Sequence, residues 1–240
     1  MHHTLQAIVL QSVKYGETSR VLKCYTDLFG LQSYMVNGVN GKKSSIRAGM
    51  TLPLTQLTLV ATHKARVTLE RIKEATVATH YEQIYSDPMR NAMALFLAEV
   101  LQKCLRTEQG DADKFNFVAN HCSYLDAANE VPAHFPQYFL IELSRYLGFY
   151  PHHAGTQRCQ FFDCVEGVFS DLKPLHPYYF NEESTHALQL LMQKLEIVEQ
   201  LKIPKSVRKL LLHDLILFYR TQFSDFGNIK SIEVLEEIFS

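Results

Sequence analysis

The chain has 240 residues, 47% of them apolar and 20% charged, a composition that fits a folded globule and excludes a disordered chain. No apolar run reaches membrane-spanning length, the N-terminus lacks the basic-then-apolar order of a signal peptide, and five dispersed cysteines do not make a disulfide framework, so a reducing cytoplasm is expected. The net charge of −1 conceals a division: residues 1–80 hold ten Lys and Arg against four Asp and Glu, whereas residues 81–240 hold fourteen against twenty-one. A balance of +6 beside one of −7 points either to a polyanionic partner for the first part or to mutual attraction of the two parts.

In chain order, the first eighty residues read as short strands. "TLQAIVLQSV" ends at "KYGETS", whose Gly16 and small polar residues signal a turn. "RVLKCYT" stops at "DLFG", and "LQSYMV" stops at the glycine-bearing loop "VNGVNGKKSSIRAG". "LPLTQLTLVA" and "RVTLERIKEATV" flank "THKA", a hairpin spacing. Five such strands suit a small closed barrel, which removes the apolar edges they would otherwise expose.

From residue 87 the period changes. Asp87 followed by Pro88 is a helix start, and Met93, Phe96, Leu97, Val100, Leu101 and Cys104 form the buried stripe of an amphipathic helix. "DKFNFVANHCSYLDAA", "QYFLIELSRYLGF", "STHALQLLMQKLEIVEQL" and "VRKLLLHDLILFYRTQF" carry further helical stripes, while residues 150–180 hold three prolines and no clear period. The fold class expected is α+β: an oligonucleotide-binding (OB) type barrel over residues 1–80, then a helical domain over 81–240 with an irregular insertion near 150–180.

After Asp27 the next carboxylate is Glu70, so forty-two residues carry no acid. Within or beside them lie loop and strand-end cations: Lys14 and Arg20 at the first turn, Lys42, Lys43 and Arg47 in the long loop, and Lys64 and Arg66 in the last hairpin. In an OB barrel such loops clamp a nucleic acid, and phosphates are met by cations and by uncovered backbone N–H groups. Only Tyr15, Tyr25, Phe29 and Tyr34 are aromatic in this region, and some must serve the core. Binding is therefore expected to be mainly electrostatic, blind to sequence and strongly salt-dependent. Later in the chain Lys205, Arg208 and Lys209 crowd a helix start, which either holds a phosphate or an acidic peptide or is simply exposed and screened.

Enzymatic signatures are missing: there is no GxxxxGK[ST] loop, GxGxxG turn, GxSxG elbow or HExxH helix. The cluster His152, His153, Cys159, Cys164 and His176 has one loose cysteine pair and lacks the second that a structural zinc site uses, so no metal or other cofactor is expected.

The segment "AIVLQSVKYGETSRVLKCYTDLFGLQSYMVNGV" resembles the start of the RecO family. Its Tyr15-Gly16-Glu17-Thr18-Ser19 turn, the strand into Thr26, Gly30-Leu31 and the Lys43-Ser44 loop carry the likeness. "RYLGFYP" resembles the end of the family's central helix, and "LLLHDLILFYRTQFSDFGNIKS" its C-terminal signature with Lys230-Ser231. The resemblance implies an OB domain followed by a helical one. It also implies a recombination mediator that binds single- and double-stranded DNA, anneals complementary strands and helps RecA load onto DNA coated by single-strand-binding protein (SSB). RecR and the acidic SSB tail are the implied protein partners, and a nucleoid-associated location follows. On the family pattern the basic loop maps onto Lys42, Lys43 and Arg47, and Phe139, Ile141 and Arg145 lie near the tail-binding region. Where many members carry a four-cysteine zinc module, "CQFFDCVEGVF" keeps neither the spacing nor the second pair. A protein-interaction adaptor without DNA binding is the alternative.

Overall fold

The computed structural model describes residues 2–17, 19–37, 46–63, 67, 69–105, 109–153, 159–193 and 198–239. They form two compact units, one from the first 128 residues with Ile229–Ile238, the other from Asn129–Asn228.

In the first unit, β1 (His2–Tyr15), β2 (Ser19–Thr26), β3 (Gly30–Val36), β4 (Gln56–Thr62) and β5 (Glu70–Thr79) close into a barrel in the order β1-β2-β3-β5-β4. Neighbours are antiparallel except β3 and β5, which meet in parallel at Tyr34–Glu70 and Met35–Arg71. The expected OB-type barrel is therefore present. Strict alternation in β3, where Gly30, Gln32, Tyr34 and Val36 are buried and the residues between them less so, is what a one-sided strand requires. Leu5, Ala7, Val9, Leu22, Cys24, Tyr34, Leu57 and Leu59 fill the interior. β1 differs: Ala7, Ile8, Val9 and Leu10 are buried in succession, because its outer face is covered by helix.

That cover is α2 (Pro88–Cys104), which follows the single turn α1 (Gln83–Ser86). Asp87 caps α2 by accepting from the N–H groups of Met89 (2.8 Å) and Arg90 (3.4 Å), and Pro88 takes the first position, as the sequence predicts. The whole expected stripe from Met93 to Cys104 is buried. α3 (Ala112–Ala127) is held by Arg90, whose guanidinium donates to the carbonyls of Leu125 (2.9 Å), Asp126 (2.6 Å) and Ala128 (2.7 Å), groups that a helix end leaves unpaired.

The second unit contains α4 (Phe135–Leu147), the short strands β6 (His152–His153), β7 (Phe161–Asp163), β8 (Val168–Ser170) and β9 (Tyr179–Phe180), then α5 (Glu182–Leu191) and α6 (Lys205–Gln222). α4 ends at Gly148, whose φ of +87° suits glycine, with Phe149 N–H returning to the Ser144 carbonyl at 3.0 Å. Among the described residues the 150–180 stretch is irregular in that no strand exceeds three residues, yet the strands join in the order β6-β8-β7-β9. Phe162 is the nucleus, with ring centroids 5.1 Å from Phe169 and 5.0 Å from both Phe180 and Phe218. The last helix, α7 (Ser231–Ile238), returns to the first unit and packs on α2. No helix among the described residues is long and apolar enough to cross a membrane.

Candidate nucleic-acid interface

The β1–β2 hairpin places Lys14 directly opposite Arg20, and Arg20 opposite Val36 of β3, so two cations and the end of β3 share one row of the sheet. Like charges facing each other across strands repel. Arg20 leans away, donating from Nη1 to Ser12 Oγ at 3.2 Å. Gly16, at φ +72°, makes the turn, and Ser19 Oγ donates to Asn37 Oδ1 at 3.0 Å, tying the hairpin to the point where the chain enters residues 38–45. Lys42 and Lys43, and likewise Lys64 and Arg66, lie outside the described residues. Arg47 is exposed and makes no ion pair among the described residues.

Three barrel carboxylates have partners of their own. Asp27 Oδ1 accepts from Gln6 N–H at 3.0 Å, buried Glu70 accepts from Thr62 Oγ1 at 3.0 Å, and Glu74 pairs with Lys73 at 3.7 Å. The barrel aromatics divide as the expected core demands. Tyr25 and Tyr34 are buried, and Phe29 is stacked on His63 with centroids 3.8 Å apart; Tyr15, 60% exposed, is open to a base.

Two clefts flank the segment from Ala48 to Thr55, which opens with a 3-10 turn at Ala48–Thr51. One, about 760 Å³, brings Arg47 together with Met50, His80, Tyr81 and Tyr85. Tyr81 Oη accepts from Gln56 Nε2 at 2.6 Å, and Tyr85 Oη shares a hydrogen bond with Thr55 Oγ1 at 2.7 Å; burial pushes both phenols up, so both stay neutral. The other, about 720 Å³, holds Arg20 with Lys103 and Lys230. The fold thus separates Arg20 from Arg47 while keeping Arg20 with Lys14. Sequence reasoning missed His80, Tyr81 and Tyr85, which fall just past the barrel, and Lys103, the basic residue in the last turn of α2. Lys230 was visible within the C-terminal signature.

In the second unit, Phe139 and Ile141 are 0% and 1% exposed, so they belong to its core and present no surface to a partner. A nearly unbroken apolar run, "YFLIEL", was the signal that α4 is buried on most sides. Arg145 is exposed, 3.7 Å over the Tyr150 ring and 3.3 Å from Glu142. At the start of α6, Lys205 and Lys209 are exposed, and Arg208 Nη1 donates to the Ile203 carbonyl at 2.7 Å. Pro204 caps that helix without a side-chain acceptor, and its first turn has no acid. Of the histidine–cysteine cluster, Cys164 is buried, Cys159 half-buried, and His176 Nε2 faces Asp163 Oδ2 at 3.1 Å. No group of three such side chains among the described residues is placed to hold a metal ion.

A family model described as Recombination protein O N terminal matches residues 1–81, and one described as Recombination protein O C terminal matches residues 85–228. The chain belongs to the RecO family. Relatives extend over its length. It is 33% identical over 239 residues to the DNA repair protein RecO of Christiangramia forsetii, covering 99% of this chain and 98% of that protein. It is 34% identical over 238 residues to that of Flavobacterium psychrophilum, covering 98% of each. It is 33% identical over 238 residues to that of Bacteroides fragilis, covering 97% of each. The RecO-family likeness read from the turn, loop and helix motifs is therefore matched across both regions of the chain.

Proposed function

We propose that this RecO-family chain is a non-enzymatic DNA repair and recombination mediator. Residues 1–80 bind single- and double-stranded DNA and anneal complementary strands, and the helical domain over 81–240 docks protein partners. The protein assists RecA loading on SSB-coated DNA, with RecR and the acidic SSB tail as those partners, and works at the nucleoid. The observation that carries the reading is the row Lys14–Arg20–Val36, which sets two cations beside the entry to the acid-free loop of Lys42 and Lys43. Annealing asks for no nucleophile or base: neutralising phosphates lowers repulsion between strands and raises their local concentration. Arg47, Lys64 and Arg66 are further phosphate contacts in this reading.

The test is DNA affinity across a salt series, read alongside strand annealing. Each phosphate contact contributes a slope of roughly −0.7 in log K against log salt on single strands. Charge reversal of Lys42, Lys43 and Arg47 together is expected to weaken binding by more than about tenfold and flatten the slope by about two. An affinity indifferent to salt would overturn the reading. Loss of protein partners with DNA binding intact would instead favour the adaptor.

A further inference from the structure

We propose that the cleft beside Arg47 takes one unstacked nucleotide, its base among Tyr81, Tyr85 and Met50 and its phosphate on Arg47. The proposal rests on the DNA-binding reading for the source of that nucleotide. It deepens that reading, from a surface that meets backbones alone to one that also holds a base. The cleft, about 760 Å³, is lined by both tyrosines, Met50, His80 and Arg47, and none of the described residues that line it is a carboxylate. One exposed cation beside neutral rings suits an anion that carries a flat aromatic plate.

The walls are fixed before any ligand arrives. Tyr81 Oη accepts from Gln56 Nε2 at 2.6 Å and shares a hydrogen bond with Ser123 Oγ at 3.3 Å. Tyr85 Oη lies 2.7 Å from Thr55 Oγ1 and 3.2 Å from the Pro53 carbonyl oxygen. Between the two tyrosines, Asp126 Oδ1 accepts from the N–H groups of Glu82 (3.0 Å) and Ile84 (2.9 Å), which locks the segment onto α3. Both phenolic hydroxyls thus have partners, so the tyrosines offer a ligand their rings, and little side-chain entropy is left to lose on binding. Thr76 and His80 are exposed at the same cleft and can meet the polar edge of a base, which an apolar amino-acid side chain lacks. A paired base is not free to enter, so the cleft favours single strands over duplexes. The Arg20 cleft has cations but no ring among its described lining residues, and it is no rival for a base.

The experiment measures fluorescence polarisation of labelled oligothymidylate, and of an abasic strand with the same number of phosphates, against the full chain; calorimetry follows free thymidine monophosphate. Oligothymidylate is expected to bind about tenfold more tightly than the abasic strand. Tyr81→Leu should erase that difference and Tyr81→Phe restore it, since the ring and not the hydroxyl holds the base. Arg47→Gln should weaken both strands by the same factor, because it meets phosphate. Binding of the abasic strand by Tyr81→Leu reports a folded barrel. His80→Ser, at an exposed position, is expected to shrink the difference about threefold and keeps the test decisive if Tyr81→Leu misfolds. Equal affinity of the parent for the two strands, or a difference that survives both variants, overturns the proposal, while salt-dependent binding of both strands leaves the DNA reading standing. Binding of thymidine monophosphate with neither strand bound keeps the cleft and removes the DNA reading, the nucleotide then being a free one. Absence of binding by all three overturns both. Tighter binding of a labelled peptide of aspartate and phenylalanine, lost in Tyr81→Leu, also overturns the proposal and would make the cleft a peptide site.

Discussion

In the first unit Arg90 and Glu99 lie among backbone groups of opposite polarity, whereas in the second buried His134 and half-buried Asp214 sit where ionisation is opposed. Arg90 is 8% exposed yet offers its fork to three helix-end carbonyls. Glu99 shows the same logic with the sign reversed. Burial alone would raise its carboxyl, but the Ser231 hydroxyl, the N–H groups of Lys230 and Ser231 and the Lys103 ammonium hold it below the usual range. In the second unit burial pushes the Asp214 carboxyl up and the His134 imidazole down. The contrast teaches that burial by itself does not decide whether a charge survives; the supply of backbone dipoles does. It also explains why the first unit can keep fixed charges along its clefts, while the second stores pH sensitivity.

The largest way to break this comparison is Arg90→Met, which keeps the volume and removes the donors. Three carbonyls then lose their partner in a largely dry setting, and a loss of roughly 3 kcal/mol is expected. Urea denaturation followed by circular dichroism reads it. Arg90→Lys should recover little, because a single ammonium cannot span the three acceptors as a planar fork does. A stability within a few tenths of a kcal/mol of the parent would show that water replaces the guanidinium and that the first unit is not stapled in this way.

Glu99→Gln tests the opposite sign with a smaller effect. The amide retains one accepting oxygen but loses the charge that complements the N-terminus of α7, costing about 1 kcal/mol near neutral pH. The folded carboxyl sits below its ordinary value, so its contribution is present above the unfolded pKa and lost as pH falls through the folded one. Denaturation midpoints of parent and variant should therefore converge as pH drops below about 4. A gap that persists there would mean the glutamate acts through shape and not through charge.

How far the sequence discloses all this depends on distance along the chain. The alternation of Leu31 to Val36, the Asp87-Pro88 start and the stripe from Met93 to Cys104 are local patterns, and each appears as read. So does the hairpin that sets Lys14 against Arg20, since a turn at Gly16 fixes that register. The parallel meeting of β3 and β5 has no local signature, nor does the return of α7 to the first unit, where Glu99 reaches residues 131 and 132 positions away. The cationic cleft is assembled from such distant segments, so its members look like isolated surface charges in the sequence. Phe139 and Ile141 went the other way: family position set them near the tail-binding region, but the apolar run that holds them already belonged to a core.

His134→Gln gives the smallest effect and the sharpest reading of the second unit. The His134 Nε2–H donates to the Val198 carbonyl at 2.8 Å, which favours the charged ring, but burial, aided by nearby Arg208, outweighs it and lowers the pKa. As pH falls through about 6.5 the unfolded chain takes a proton that the folded chain refuses. Stability is thus intact above that pH and declines as the pH drops toward the lowered folded value. Gln keeps a donor for Val198 and cannot titrate. The parent should lose up to about 1 kcal/mol more than the variant between pH 7.5 and 5.5, seen as a steeper fall in urea midpoint. Parallel slopes would show that the ring is protonated in place, and the contrast with Arg90 would then rest on Asp214 alone.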